Sequence, residues 1–171
     1  TPVDLGAMCS EIVAMARVEA DELRVRIDLA VGDPNGSEAS PVVIVADGDQ
    51  LRQVLWNLLR NALQASSEGQ HIDVRVADEG THALLEVRDH GQGLSDDAQA
   101  HLFDMFYSGR SHGIGLGLTL VQQIVTDHGG AISAGNAEDG GGGALFRVRL
   151  PKRRSSETAD NADASQAPRE A

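Results

Sequence analysis

At 171 residues, 41% of them hydrophobic, the chain has length for one domain with a substantial core and is short for two. Aromatics make up only 3%, so aliphatic side chains must fill that core. A formal net charge of -12 argues against a face for phosphate backbones, and hence against nucleic acid as a partner; an anion site needs local positive groups.

From Asp4 to about Leu23 the apolar residues Leu5, Met8, Cys9, Ile12, Val13 and Ala16 follow helical spacing. Cys9 is the only cysteine, which excludes a disulfide framework and reads as a small core residue. Val25, Ile27, Leu29 and Val31 alternate with other residues as in a half-buried strand, and Asp33-Pro34-Asn35-Gly36 signals a turn. Val42 to Val45 reads as a short strand. Asp47-Gly48-Asp49 then caps a strong helix from Gln50 to about Ala65. Strands around His71 to Ala77 and His82 to Arg88 flank the hairpin turn Asp78-Glu79-Gly80-Thr81.

After Asp89 the pattern becomes loop, with a short helix near Asp96 to Phe103 and a glycine-rich stretch to Gly115. A helix from Leu116 to His128 stops at Gly129-Gly130. The last strands are expected near Ala131 to Gly135 and Ala144 to Leu150, joined by Asp139 and Gly140 to Gly143. Residues 152–171 lack apolar periodicity and read as a disordered tail behind a domain of residues 1–151. The order implies an α/β sandwich, a mixed sheet covered on one face by about three helices. No apolar run approaches the ~18 residues of a membrane helix and no signal peptide opens the chain, so a cytoplasmic domain without membrane contact is expected. Thr1 as the opening residue suggests a beginning within a longer protein.

Three constellations could carry chemistry. Asn57 and Asn61 lie four apart on the flank of the second helix, beside the apolar positions Leu51, Val54, Leu55, Leu58 and Ala62. Asparagine is a poor residue for a helix interior, and its amide oxygen is a hard ligand suited to Mg²⁺. Alone, the pair reads equally as two solvated asparagines. Asp89-His90-Gly91-Gln92-Gly93-Leu94 follows the strand ending at Arg88. A carboxylate there can accept from the adenine amine, where guanine presents a carbonyl, and Gly91 and Gly93 let backbone approach a base. Alone, this is an ordinary turn. Arg110-Ser111-His112-Gly113-Ile114-Gly115-Leu116-Gly117-Leu118 runs into a helix whose free N–H groups suit phosphate, with Arg110 adding charge. Its spacing is neither a Rossmann fingerprint nor a P-loop, and alone a flexible connector explains it as well.

Together, in this order, the three resemble the histidine kinase branch of the GHKL ATPase superfamily (HATPase_c, the Bergerat fold), which also contains gyrase, the Hsp90 chaperones and MutL. Asn57 and Asn61 match its N box, Asp89-x-Gly91-x-Gly93 its G1 box, and Gly113-Ile114-Gly115-Leu116-Gly117-Leu118 its G2 box. Phe103 and Phe106 match the F box, and the resemblance runs from about Val3 to Pro151. It implies ATP held between the N-box helix and a mobile lid, about residues 95–113. Asn61 would be the main Mg²⁺ ligand with Asn57 its helper, both serving catalysis. Asp89 would hold the adenine amine, with Gly91, Gly93, Leu94 and Phe106 around the nucleotide. Arg110, Gly113, Ile114, Gly115, Leu116, Gly117 and Leu118 would attend the phosphates.

Gln64 stands where many members place a phosphate-binding lysine, and Ala144 where threonine or serine is usual; Met105 and Gly109 also depart from the common lid. The superfamily's hydrolases carry a glutamate where this chain has Asn57, and an amide cannot take a proton from water. The resemblance therefore implies transfer of the γ-phosphoryl group to a histidine, with a GHKL-type ATPase or a non-catalytic nucleotide-sensing module as alternatives. His71, His82, His90, His101, His112 and His128 all lack the acceptor context, so the acceptor would sit on a dimerisation and phosphotransfer domain outside the chain. The implied partners are that domain, within a homodimer, and a response regulator. The N-box and lid sequences look nearest to the nitrogen-regulation and type IV pilus sensor group, whose regulators are enhancer-binding and whose members can be anchored in the inner membrane.

Overall fold

The computed structural model describes residues 1–32, 40–105, residue 107 and 117–152. In chain order it contains β1 (Pro2–Asp4), α1 (Leu5–Glu22), β2 (Arg26–Val31), β3 (Val43–Val45), α2 (Gly48–Ala65) and β4 (His71–Asp78). There follow β5 (His82–Arg88), α3 (Asp96–His101), α4 (Gly117–Asp127), β6 (Ala131–Asn136) and β7 (Ala144–Pro151). Five strands form one mixed sheet in the order β2-β4-β5-β7-β6, with β2 and β4 parallel and the other neighbours antiparallel. The expected sandwich is present, with one addition. β1 and β3 make a separate two-stranded ribbon, pairing Pro2 with Val45 and Asp4 with Val43. Three residues carry too little pattern to announce a strand, so β1 was not expected.

Helix boundaries follow from capping. The Asp4 carboxylate accepts from the Ala7 N–H at the start of α1, and Asp47 accepts from the Asp49 and Gln50 N–H groups at the start of α2. α2 buries Leu51, Val54, Leu55, Leu58, Leu59, Ala62 and Leu63 along one face. Its apolar stripe packs with Cys9, Ile12 and Val13 of α1 and Val121, Ile124 and Val125 of α4 onto one side of the sheet. Alternate strand residues meet them: Ile72, Val74 and Val76, then Ala83, Leu85 and Val87, then Phe146, Val148 and Leu150. Burial, with the charge of Asp4 adding, pushes the Cys9 thiol up to about 12, as expected of a core residue.

His128 clamps the helix layer. Its Nδ1–H donates to the Ile124 carbonyl at 2.7 Å, and its Nε2 accepts from the Asp47 N–H at 3.1 Å, joining the end of α4 to the N-cap of α2. The Asp33–Gly36 turn and the tail from Arg153 onward lie outside the described residues.

Candidate functional site

The site residues gather where the end of β5, the flank of α2 and the start of α4 converge. α2 is amphipathic enough to place Asn57 and Asn61 at the border of its buried stripe, where both are half-buried. The Asn57 Nδ2 donates to the Gln53 carbonyl one turn back at 2.9 Å, which turns its Oδ1 outward from the helix. A Cβ at Gly117 would lie 3.1 Å from that Oδ1, so the N-box helix and the first turn of α4 are in contact. Gln64 is exposed near the C-terminal end of α2.

Asp89 is the one buried charged residue among those described, 2% exposed, directly after β5. Its Oδ1 accepts from the Gly91 N–H at 3.0 Å and the Ala144 N–H at 3.2 Å, while its own N–H donates to the Ala144 carbonyl. Both of these side-chain bonds end on Oδ1; neither uses Oδ2. Two backbone donors on one oxygen hold the side chain in place at a strand end. Ala144 carries no hydroxyl, and its bond to Asp89 is made by the backbone N–H. Glycine is required around this carboxylate. A Cβ at Gly91 would run into the Ala65 carbonyl oxygen, and one at Gly143 into the Asp89 carbonyl oxygen. Gly143 also has φ +87, a conformation L side chains rarely adopt.

The supporting residues Asn136, Thr119, Arg88 and Asp139 were not expected. Leu94, partly buried against the core, donates its N–H to Asn136 Oδ1 at 2.6 Å and accepts from Asn136 Nδ2 at 2.9 Å, so the segment after Gly93 is stapled to the end of β6. The Thr119 hydroxyl of α4 donates to the Phe103 carbonyl at 3.0 Å, tying α4 to the segment after α3. Behind the site, Arg88 holds Asp139 through two N–H groups and reaches the Gly142 carbonyl at 3.2 Å. The Arg88 hydrogen bond, then the Gly141 N–H, hold the Asp139 carboxyl well below the usual carboxylate range, and Asp139 in turn raises Arg88. These partners are far apart in sequence, so local patterns carried no signal for them. Leu118 packs partly buried against the core beside Gly117. Phe106, Arg110, Gly113, Ile114, Gly115 and Leu116 lie outside the described residues.

Residues 46–154, more than half of the chain, match the family described as histidine kinase-, DNA gyrase B-, and HSP90-like ATPase. The chain belongs to that family. Within it the similar proteins are sensor kinases. The C4-dicarboxylate transport sensor protein DctS of Rhodobacter capsulatus is 37% identical over 87% of this chain and 22% of its own length. Sensor histidine kinase ZraS of Escherichia coli K12 is 31% identical over 87% of this chain and 30% of its own length. The chain thus spans less than a third of either relative. Among solved structures, the catalytic domain of histidine kinase ThkA superposes with TM-score 0.78 at 25% identity, covering 89% of this chain and 95% of that one. ShkA, solved in complex with AMPPNP, superposes with TM-score 0.72 at 30% identity over 88% of this chain and 30% of its own. This HATPase_c domain has the fold of histidine kinase catalytic domains, and its family implies nucleotide binding.

Proposed function

We propose that this domain binds Mg²⁺-ATP and supplies the γ-phosphoryl group to a histidine outside the chain, for relay to a response regulator. The observation that carries this reading is Asp89, buried at the end of β5 with Oδ1 fixed by two backbone N–H groups and Oδ2 unused by those bonds. An exocyclic amine donates to such an oxygen, whereas the carbonyl of guanine would repel it, so the site prefers adenine. That ShkA, which shares this fold, was solved in complex with AMPPNP is consistent with a nucleotide ligand for this domain.

The donor set suits Mg²⁺ when phosphates supply the negative charge, since Asn57 and Asn61 offer neutral amide oxygens. When bound, the ion would neutralise charge building on the transferring phosphoryl group. The chain's own contributions are placement and charge. Asn57 and Asn61 would hold the metal, Asp89 would hold the adenine amine with Gly91, Gly93 and Leu94 around the nucleotide, and Arg110 with Gly113 to Leu118 would attend the phosphates. Asn57 cannot serve as a general base, which favours transfer to an acceptor over hydrolysis.

His71 and His90 stack on each other, His128 is engaged at both nitrogens, and His101 is bonded to Asp104. None of these sits on a helical hairpin; His112 is outside the described residues. We therefore place the acceptor outside this domain; that it lies on a dimerisation domain of a homodimer, with this domain in the cytoplasm, is proposed from the resemblance to sensor histidine kinases. No helix among the described residues is long and apolar enough to cross a membrane.

The test is calorimetric titration with ATP and Mg²⁺ while released phosphate is followed in the same sample. Asp89→Asn swaps an acceptor for an amide, and removing a charged hydrogen-bond partner should weaken ATP binding about 10–100-fold. Binding weakened in this way, without phosphate release, is the expected result. Sustained release would move the reading to a hydrolase, and no binding to a non-catalytic module.

A further inference from the structure

The sheet face opposite the helices carries a cluster that the nucleotide reading leaves unused. His71 opens β4, Asp73 lies two residues on and shares its face, and His90 follows the end of β5, whose Arg88 is the cross-strand partner of Asp73. The His71 and His90 rings stack with centroids 3.9 Å apart at 27°. Nε2 of each ring lies 3.5 Å from Asp73 Oδ2, and the three ligand atoms all fall within 4.8 Å of one another.

The tautomer of His90 is set by its surroundings. Its Nδ1 lies 2.9 Å from the His71 carbonyl oxygen, which can only accept, so Nδ1 carries the proton. In the neutral ring Nε2 then offers a lone pair toward a carboxylate oxygen, also an acceptor. Two acceptors facing each other at 3.5 Å have no proton to share, and both gain from a cation between them. A backbone carbonyl on the opposite ring nitrogen is also the usual support of a metal-bound imidazole.

We propose that His71, Asp73 and His90 form a Zn²⁺-binding site on this open face, distinct from Asn57 and Asn61. Two imidazole nitrogens and one carboxylate oxygen are a set for Zn²⁺ or a neighbouring late transition metal, not for Mg²⁺. Tetrahedral Zn²⁺ with bonds near 2.1 Å separates its ligand atoms by about 3.4 Å. Both nitrogen-to-Asp73 separations already stand at 3.5 Å. The two nitrogens can close on an ion by rotation of His71, whose side chain is 36% exposed, while His90 at 18% is the fixed partner. Three protein ligands leave a position for water, the mark of an open site. Arg88, the cross-strand partner of Asp73, is held by Asp139, and Arg75 by Glu86; Arg26, beside His71 in β2, is paired with Asp28, which lies across from Asp73. An ion here would tether His90, and with it the turn between Asp89 and Gly91.

The nucleotide-free, untagged chain is titrated with ZnCl₂ near pH 7.5 in a non-chelating buffer by calorimetry, beside His71→Gln, Asp73→Asn and, as control, His101→Gln. One Zn²⁺ per chain is expected. Loss of one ligand should weaken binding about tenfold or more in the first two variants and leave the control unchanged. Circular dichroism verifies that the variants fold. A second measurement needs no variant: ¹⁵N spectra of the wild-type imidazoles should show the Nε2 signals of His71 and His90 moving first. Absence of stoichiometric uptake, unchanged affinity in His71→Gln and Asp73→Asn, or first movement at another histidine would overturn the proposal. Because no nucleotide is present, none of these outcomes depends on the ATP reading.

Discussion

The two faces of the central sheet are built on opposite principles. The face under α1, α2 and α4 is aliphatic, with Ile72, Val74, Val76, Leu85, Val87, Phe146 and Val148 buried. The other face carries a lattice of charge: Arg75 with Glu86, Glu86 with Arg147, Arg149 with Glu79, Lys152 with Asp78 and Arg88 with Asp139. Stability resides in the first, because area removed from water is worth more than ion pairs open to solvent. The second has a different use. Its Arg88 latch fastens the Asp139 to Gly142 segment behind Asp89, so the lattice positions the site from outside the core.

Neighbours on β7 break this contrast most directly. Phe146 points into the core and Arg147 into the lattice. Phe146→Ala should destabilise by about 3–5 kcal/mol and Arg147→Ala by less than about 1 kcal/mol, as read by urea denaturation. Equal effects would show that the lattice bears load. Gly143→Ala should come next. Its methyl group meets the Asp89 carbonyl and its φ is unfavourable, so a loss of about 1–3 kcal/mol is expected together with weakened ATP binding. A variant that melts early yet binds ATP normally would separate the turn from the site.

The latch gives a pH signature. The folded carboxyl of Asp139 is depressed, so its contribution is complete above the ordinary carboxylate value and is lost as pH falls through the lowered one. A carboxyl-carbon NMR titration should find Asp139 ionised where exposed aspartates are already protonated, and Arg88→Gln should return it to their range. An unchanged midpoint in Arg88→Gln would remove the latch. The smallest effect is expected at Gln64, exposed near the end of α2. Gln64→Lys should tighten ATP binding by up to about fivefold, the scale of an exposed charge pair, and the gain should fade in high salt.

Much of this was legible in the residues. Caps at Asp4 and Asp47, the stripe of α2 and the alternation of β4, β5 and β7 set those elements, whose boundaries match to within a residue or two. The Asn57 and Asn61 pair could be picked out because asparagines inside a helix break a local rule, whereas the Asp89 turn stood out only in company with the other two motifs. The order of strands could not, since β6 lies beyond β7 and β2 beside β4 through contacts between distant segments. Asn136 against Leu94 and Thr119 against Phe103 were hidden for the same reason.

By itself the sequence determined what depends on neighbours a few residues away: helix starts and stops, strand alternation, the hairpin, and the residue types of the three boxes. Such features arise from backbone sterics, capping and periodicity, all short-ranged. Only the tertiary structure decided which of those types meet. Strand register put Asp73 opposite Arg88, seated His90 against His71, and brought the Ala144 N–H onto the Asp89 carboxylate. Register is fixed by burying one whole face of the sheet at once, a sum over the entire core that no short window of sequence contains.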